Sequence, residues 1–244
     1  MKIAINGING RMGNVVLNLA HRMGIEVIGG ADPGGENPGV PHFSHNIGDL
    51  GAKPDVVIDF STPEGTVEAV DFCTSNSIPL VSGTTGLTEA QQNKLQTASE
   101  YIPLLWSANM SLGINLIMGI ISSLPNLLDW DVEISEIHHK FKKDAPSGTA
   151  LLLARALLEK IPKGKIIKGR VNPREQGELG IVALRGGSIP GEHTIHLLGE
   201  SEEIRITHRA YSREIFARGA LKCAEWIVDK KPGLYTITDV LKGG

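Results

Sequence analysis

The chain has 244 residues, 41% of them apolar, and 24 Lys and Arg against 27 Asp and Glu leave a formal charge of −3. That composition can bury a substantial core, and its charge balance excludes a general attraction for nucleic acid or an anionic membrane, so any bound anion must be held locally. The two cysteines, Cys73 and Cys223, lie far apart without a CxxC pair, which argues against a disulfide framework or thiolate zinc site and suggests packing on helices.

MKIAING runs straight into an apolar strand and a glycine loop without a signal peptide, and the longest apolar run, Ile114 to Ile121, is too short to span a bilayer. A cytoplasmic protein is expected. Over residues 1–110 short apolar runs alternate with helical periods, as in a parallel sheet covered by helices. KIAI, EVIGGAD, DVVIDF, PLVSG and IPLLWSA are the strand candidates. Ser61, Thr62 and Pro63 open one helix, and Thr88 with Gln91 has capping-box spacing for another. The predicted class is α/β: an N-terminal Rossmann-like, doubly wound parallel sheet over 1–110. Residues 33–46, PGGENPGVPHFSHN, read as an irregular loop.

GINGRMG at 7–13 follows the first strand and precedes a helical pattern. Its spacing is GxxGxxG, with Asn9 in place of the middle glycine of the commoner form. Gly7 permits a tight turn, Gly10 a close approach to pyrophosphate, and Gly13 close helix packing, with the helix start facing the phosphates. Asp32, at the end of the next strand, is placed to accept hydrogen bonds from an adenosine ribose. A glycine turn with a solvated aspartate is the plainer alternative. GTTG at 83–86 and SANMS at 107–111 follow strand ends, where open α/β sheets bind ligands.

From residue 111 the pattern changes, and 111–210 is predicted to form a C-terminal α+β domain. Gly113 to Leu124 reads as an apolar helix; DVEISEIHH, GIVALRGG, EHTIHLLG and EEIRITHRA alternate as strands of a mixed or antiparallel sheet. That sheet could be solvated on one face or pair with another subunit. The helix from Arg213 to Lys230 is expected to pack back on the first domain, taking the tail 211–244 with it.

SEIHHKFKKDAPSGT at 135–149 carries two histidines, three lysines and a Ser-Gly-Thr helix start. His138 and His139 point to opposite faces unless the strand ends between them. His21, His42, His45, His193, His196 and His208 show no accompanying zinc spacing, so no metal is expected. Polar histidines beside a solvated lysine run would need no function. The functional reading joins Lys142 and Lys143 to the N–H groups of a helix opening at Ser147, Gly148 and Thr149, an anion site suited to a carboxylate. A histidine beside it can supply a proton to an atom receiving hydride.

GINGRMG, GTTG, SANMSLG and above all EIHHKFKKDAPSGTA resemble the 4-hydroxy-tetrahydrodipicolinate reductase (dihydrodipicolinate reductase) family of bacterial lysine and diaminopimelate biosynthesis. GGSIPGEHT and ITHRAYSREIFARGAL extend the resemblance nearly to the C-terminus. It implies an oxidoreductase that transfers hydride from NADH or NADPH to a cyclic imine-type dicarboxylate. It implies His138 as catalytic proton donor, Lys142 as catalytic lysine, and His139, Gly148 and Thr149 as substrate-binding. Gly7, Ile8, Asn9, Gly10, Arg11, Met12, Asp32, Gly83, Thr84, Thr85, Ser107, Ala108, Asn109 and Met110 match its nucleotide-binding segments. Residues 111–210 become a substrate-binding and oligomerisation domain, and a homotetramer through the C-terminal sheets is implied; neither nucleic acid nor membrane is an expected partner.

Two departures matter: Met110 stands where the family has an aromatic residue, and Pro33 follows Asp32 where some members carry arginine. No lysine or arginine follows Asp32 until Lys53, so NADH is expected to serve at least as well as NADPH, with Arg11 the one nearby cation. Another carboxylate reductase on this scaffold, or a catalytically silent nucleotide-binding regulator, stays open as an alternative.

Overall fold

The computed structural model describes residues 1–243. Strands β1 (Lys2–Asn6), β2 (Glu26–Ala31), β3 (His42–Ser44), β4 (Val56–Asp59), β5 (Leu80–Ser82) and β6 (Pro103–Trp106) are interleaved with helices α1 (Arg11–Arg22), α2 (Pro63–Asn76) and α3 (Glu89–Ala98). Next come α4 (Leu112–Ser123), β7 (Asp131–His138), α5 (Gly148–Leu158), β8 (Lys165–Lys168), β9 (Glu178–Arg185), β10 (Gly191–Leu198) and β11 (Glu203–Ala210). The chain closes with α6 (Glu214–Ile227), β12 (Gly233–Tyr235) and α7 (Ile237–Lys242). Two compact units result: Met1–Leu112 with the segment from Arg213 onward, and Gly113–Ser212.

The first unit holds a seven-stranded sheet in the order β12-β6-β5-β4-β1-β2-β3, with every pairing parallel. Its central strands are apolar on both faces, as a sheet covered on both sides requires. Ile3, Ile5, Val56 and Ile58 face a core shared with α1 and α6; Ala4, Val57 and Leu80 face the core under α2 and α3. Helix starts follow the sequence signals. The Thr62 hydroxyl accepts the Gly65 amide at 3.1 Å ahead of Pro63, and Thr88 with Gln91 forms a complete capping box. Strand order reverses between β1 and β4, where α/β sheets open a crevice beyond their C-terminal ends. Two edge strands enlarge the expected five-stranded sheet: β3, drawn from the segment read as irregular, pairs with Gly29–Ala31, and β12 pairs with β6.

The second unit is a mixed sheet in the order β11-β10-β7-β9-β8. β10 runs antiparallel to β7 and β11, whereas β9 runs parallel to β7 and β8. One face packs on α4 and α5 through Val132, Ile134, Leu179, Ile195, Leu153 and Leu157. Val182, Leu184 and Ile204 are exposed apolar residues of β9 and β11. β7 alternates strictly between buried and half-buried positions after Asp131, so Glu136 and His138 share the covered face with Val132 and Ile134.

Candidate active site

In the first unit the glycine loop bends directly after β1. Gly7 has φ +78°, and a Cβ there would come 2.5 Å from the Phe60 carbonyl oxygen. A Cβ at Gly13 would collide with the backbone of Gly7 and Ile8, so only glycine lets α1 pack this close. Gly10 caps α1 without a side-chain hydrogen bond, so no side chain of the N-cap covers the N–H groups of the first turn. Asp32 is fixed beside the loop: Oδ2 accepts the Asn9 amide at 3.1 Å and Oδ1 the Gly34 amide at 2.9 Å.

A cleft of about 490 Å³ opens here, bordered by Gly7, Gly10, Asp32, His45, Glu64 and Glu68 among others, with no lysine or arginine in its lining. Deeper in the unit, the buried Asp59 carboxylate accepts hydrogen bonds from Asn6, Ser61, Thr66, Ser82 and Thr84. It joins the ends of β1, β4 and β5 to the GTTG turn.

The predicted nucleotide residues differ in exposure. Arg11, Thr85 and Ala108 are exposed, and Asn9, Met12, Gly83 and Ser107 are half-buried. Ile8, Thr84, Asn109 and Met110 are buried. Met110 packs in the core with Ile3 and Leu221, and the Thr84 hydroxyl is committed to Asp59 at 2.9 Å.

In the second unit β7 ends at His138, so the pair is divided: His138 is buried, and His139 leaves the strand with its amide on the Ile189 carbonyl at 2.8 Å. His138 Nδ1 lies against Oε2 of the fully buried Glu136. The other carboxylate oxygen, Oε1, accepts the Ser147 amide at 2.9 Å and Arg185 Nη2 at 2.8 Å. Arg185 also donates to the Asp144 carbonyl at 2.7 Å. Ser147 caps α5, its hydroxyl accepting the Ala150 amide at 3.1 Å and meeting His193 Nε2 at 3.0 Å. Gly148 is exposed at the helix start and Thr149 half-buried. Lys142 Nζ holds both oxygens of Asp144, at 2.8 and 3.0 Å.

Electrostatics follow from these contacts. Burial pushes the Glu136 carboxyl up, but hydrogen bonds from His138, Arg185 and the Ser147 amide outweigh it and hold the group at about 2. Burial, then the charge of His138, pushes His193 down to about 4, leaving it neutral near pH 7. The hydrogen bond from Lys142 lowers Asp144. Glu136, His138 and His193 bring ligand atoms within 4.8 Å of one another, a grouping that could hold a metal ion. Oε1 of Glu136 already accepts from the Ser147 amide and Arg185, however, and an ion would compete with Arg185 for the same carboxylate.

Glu136, Arg185 and His193 were absent from the candidates read in sequence. The signal for Glu136 is its parity: a charged residue on the apolar register of its strand. His193 is brought in only by sheet pairing, being the register partner of Glu136.

A parallel open sheet with a glycine loop, joined to a mixed-sheet unit with a histidine-carboxylate pair, defines a nucleotide-binding oxidoreductase of the NAD(P)H type. A solved structure of a probable dehydrogenase from Thermotoga maritima shares the fold, with a TM-score of 0.63 at 12% identity over 98% of this chain and 92% of that one. The chain belongs to the dihydrodipicolinate reductase family: the model of the family's N-terminus matches residues 1–110 and that of its C-terminus residues 113–241. It is 42% identical to the 4-hydroxy-tetrahydrodipicolinate reductase of Caldanaerobacter subterraneus, over 100% of this chain and 99% of the relative. It is 40% identical to that of Aquifex aeolicus, over 99% and 98%. A dipicolinate-bound dihydrodipicolinate reductase from a Paenisporosarcina species superposes with a TM-score of 0.80 at 26% identity, covering 97% of each chain.

Proposed function

We propose that this protein reduces 4-hydroxy-tetrahydrodipicolinate to tetrahydrodipicolinate in lysine and diaminopimelate biosynthesis. In the net change hydrogen replaces the 4-hydroxyl, which leaves as water, so one hydride and one proton are consumed. When bound, the reduced nicotinamide supplies the hydride. His138 supplies the proton, and Lys142 is the catalytic cation. His139, Gly148 and Thr149 hold the substrate carboxylates. The observation that carries this reading is the fixed histidine and the capped start of α5 meeting on one carboxylate, Glu136. The Paenisporosarcina relative binds dipicolinate, a ring with two carboxylates, and an N-terminal helix turn with nearby lysine suits such a ligand.

The nucleotide is assigned to residues 7–12, Asp32, 83–85 and 107–110. The buried side chains of Ile8, Thr84, Asn109 and Met110 make backbone contacts the natural contribution at those positions. NADH is the better substrate in this reading. Asp32, Glu64 and Glu68 border the cleft without a lysine or arginine, and a 2′-phosphate would meet like charge. A homotetramer is proposed through the uncovered face of the second sheet, on which β9 exposes Val182 and Leu184. No described helix is long and apolar enough to cross a membrane; a cytoplasmic location goes with the use of intracellular reduced nicotinamide.

The test is NADH oxidation with substrate freshly generated from pyruvate and aspartate semialdehyde. Substrate-dependent turnover is expected; its absence at micromolar enzyme contradicts the assignment.

A further inference from the structure

We infer that Glu136 is a positioning residue for the proton donor: its carboxylate keeps a proton on Nδ1 of His138, leaves Nε2 to the substrate, and locks that ring to the start of α5. The inference rests on the reading of His138 as proton donor and adds a residue on which it depends.

The geometry singles out Glu136 in three ways. It sits on the covered face of β7, two residues before His138 on the same register, so the strand itself sets the separation of the two side chains. It is fully buried, where a carboxylate is retained only if its oxygens are satisfied. At Oε1 it accepts from the Ser147 amide and Arg185, and Oε2 abuts His138 Nδ1, so a proton on Nδ1 is what would satisfy the second oxygen. The opposite ring nitrogen, Nε2, lies over Gly191, where a Cβ would come within 2.9 Å. His193 packs edge-on against the ring, with centroids 5.1 Å apart and planes at 74°. The imidazole is therefore held on two sides and tethered at one nitrogen.

Chemistry follows from the tether. A histidine that gives up a proton from Nε2 must keep its other proton on Nδ1, and a carboxylate acceptor at Nδ1 fixes that arrangement. Proton transfer breaks the Nε2–H bond, forms the new bond to hydrogen on the substrate, and leaves neutral imidazole still bonded through Nδ1–H to Glu136. The same carboxylate fixes the Ser147 amide, so donor and helix start keep a constant relation.

An amide cannot replace the carboxylate. In Glu136→Gln the NH₂ group must face either the Ser147 amide and Arg185, setting donor against donor, or Nδ1, where it favours the tautomer with its proton on Nε2 and none on Nδ1. Two measurements test the inference. The first is ¹⁵N NMR of histidine-labelled wild-type protein, with His138 assigned by His138→Gln. A protonated Nδ1 is expected, and a bare Nδ1 overturns the inference without any variant having to fold. The second compares Glu136→Gln with wild type, per folded molecule counted by NADH binding. A fall in kcat of about 10²-fold or more is expected, with KM for NADH changed less than about twofold. Retention of kcat within threefold (roughly the noise of a structural change) overturns it. If wild type itself fails to turn over the substrate, the proposed function fails, while the NMR result still decides the tether.

Discussion

Thr84 donates its hydroxyl to the buried carboxylate of Asp59 at 2.9 Å, and the Ser61 amide closes on the same hydroxyl at 3.1 Å. The turn after β5 is thereby fastened to the end of β4. Thr66, Ser82, Ser61 and Asn6 add their donors to Asp59. Removing the carboxylate strands several buried donors at once, each costing about 1–3 kcal/mol where it cannot rearrange. Asp59→Ala should therefore lose about 3 kcal/mol or more in urea unfolding and raise KM for NADH more than KM for the dicarboxylate. An equal rise in both constants would mean that the hub does not act through the nucleotide segments.

The catalytic assignments predict that His138→Ala and Lys142→Ala each lower kcat by roughly 10² to 10⁴, the range for lost acid-base assistance. Circular dichroism should show both folded, since Glu136 keeps Arg185 and Ser147, and the Lys142–Asp144 pair is half-exposed. Thr149→Val should act mainly on substrate binding, by about 1.5 to 3 kcal/mol for a hydrogen bond to a charged carboxylate. Near-parental turnover in His138→Ala with an unchanged pH profile contradicts its role as donor.

Acid stability should reflect His193 first. Its folded value of about 4 lies below the ordinary 6.5, so the unfolded chain binds a proton in that window that the folded protein refuses. The contribution is complete above pH 6.5 and is lost as pH falls to about 4, amounting to as much as about 3 kcal/mol at 1.36 kcal/mol per unit. Glu136 follows, its contribution present above 4.5 and lost as pH drops towards 2. His193→Gln should show a shallower fall in unfolding free energy between pH 6.5 and 4 than wild type. Parallel declines in the two proteins would show that His193 is not held neutral by the fold.

Cofactor preference follows from the cleft. Arg11 is exposed and absent from its lining, whereas Asp32, Glu64 and Glu68 are present. kcat/KM should favour NADH at fixed salt and pH. A preference for NADPH of about tenfold, equal to about 1.4 kcal/mol, contradicts this. Arg11→Ala is then the variant that would reveal whether Arg11 holds the phosphate.

The fold was legible where signals are long or chemically specific. Thr62-Pro63 and Thr88 with Gln91 mark helix starts that the structure repeats, and five apolar runs correspond to the inner strands of the first sheet. β3, β8 and β12 escaped because strands of three or four residues at a sheet edge hold too few positions to show a period. α7 escaped for the same reason, at six residues. In the second unit, the sequence displayed His138, Lys142 and Ser147 as neighbours along the chain. It could not show His193, some fifty residues away and paired through β10 with Glu136. Glu136 was visible as a letter, but its meaning depends on which face of β7 is covered. Glu64 and Glu68 are polar positions of α2 with no sequence signal of their own, and only the folded cleft brings them beside Asp32.

The most direct measurement of the central claim is isotopic. The enzyme, NADH dideuterated at C4 of the nicotinamide and freshly generated 4-hydroxy-tetrahydrodipicolinate are combined, and the product is examined by mass spectrometry. The expected product is tetrahydrodipicolinate carrying one transferred deuterium, formed only with active enzyme and far more slowly with His138→Ala. Nucleotide binding with no labelled product would contradict it and leave a nucleotide-binding protein without this chemistry.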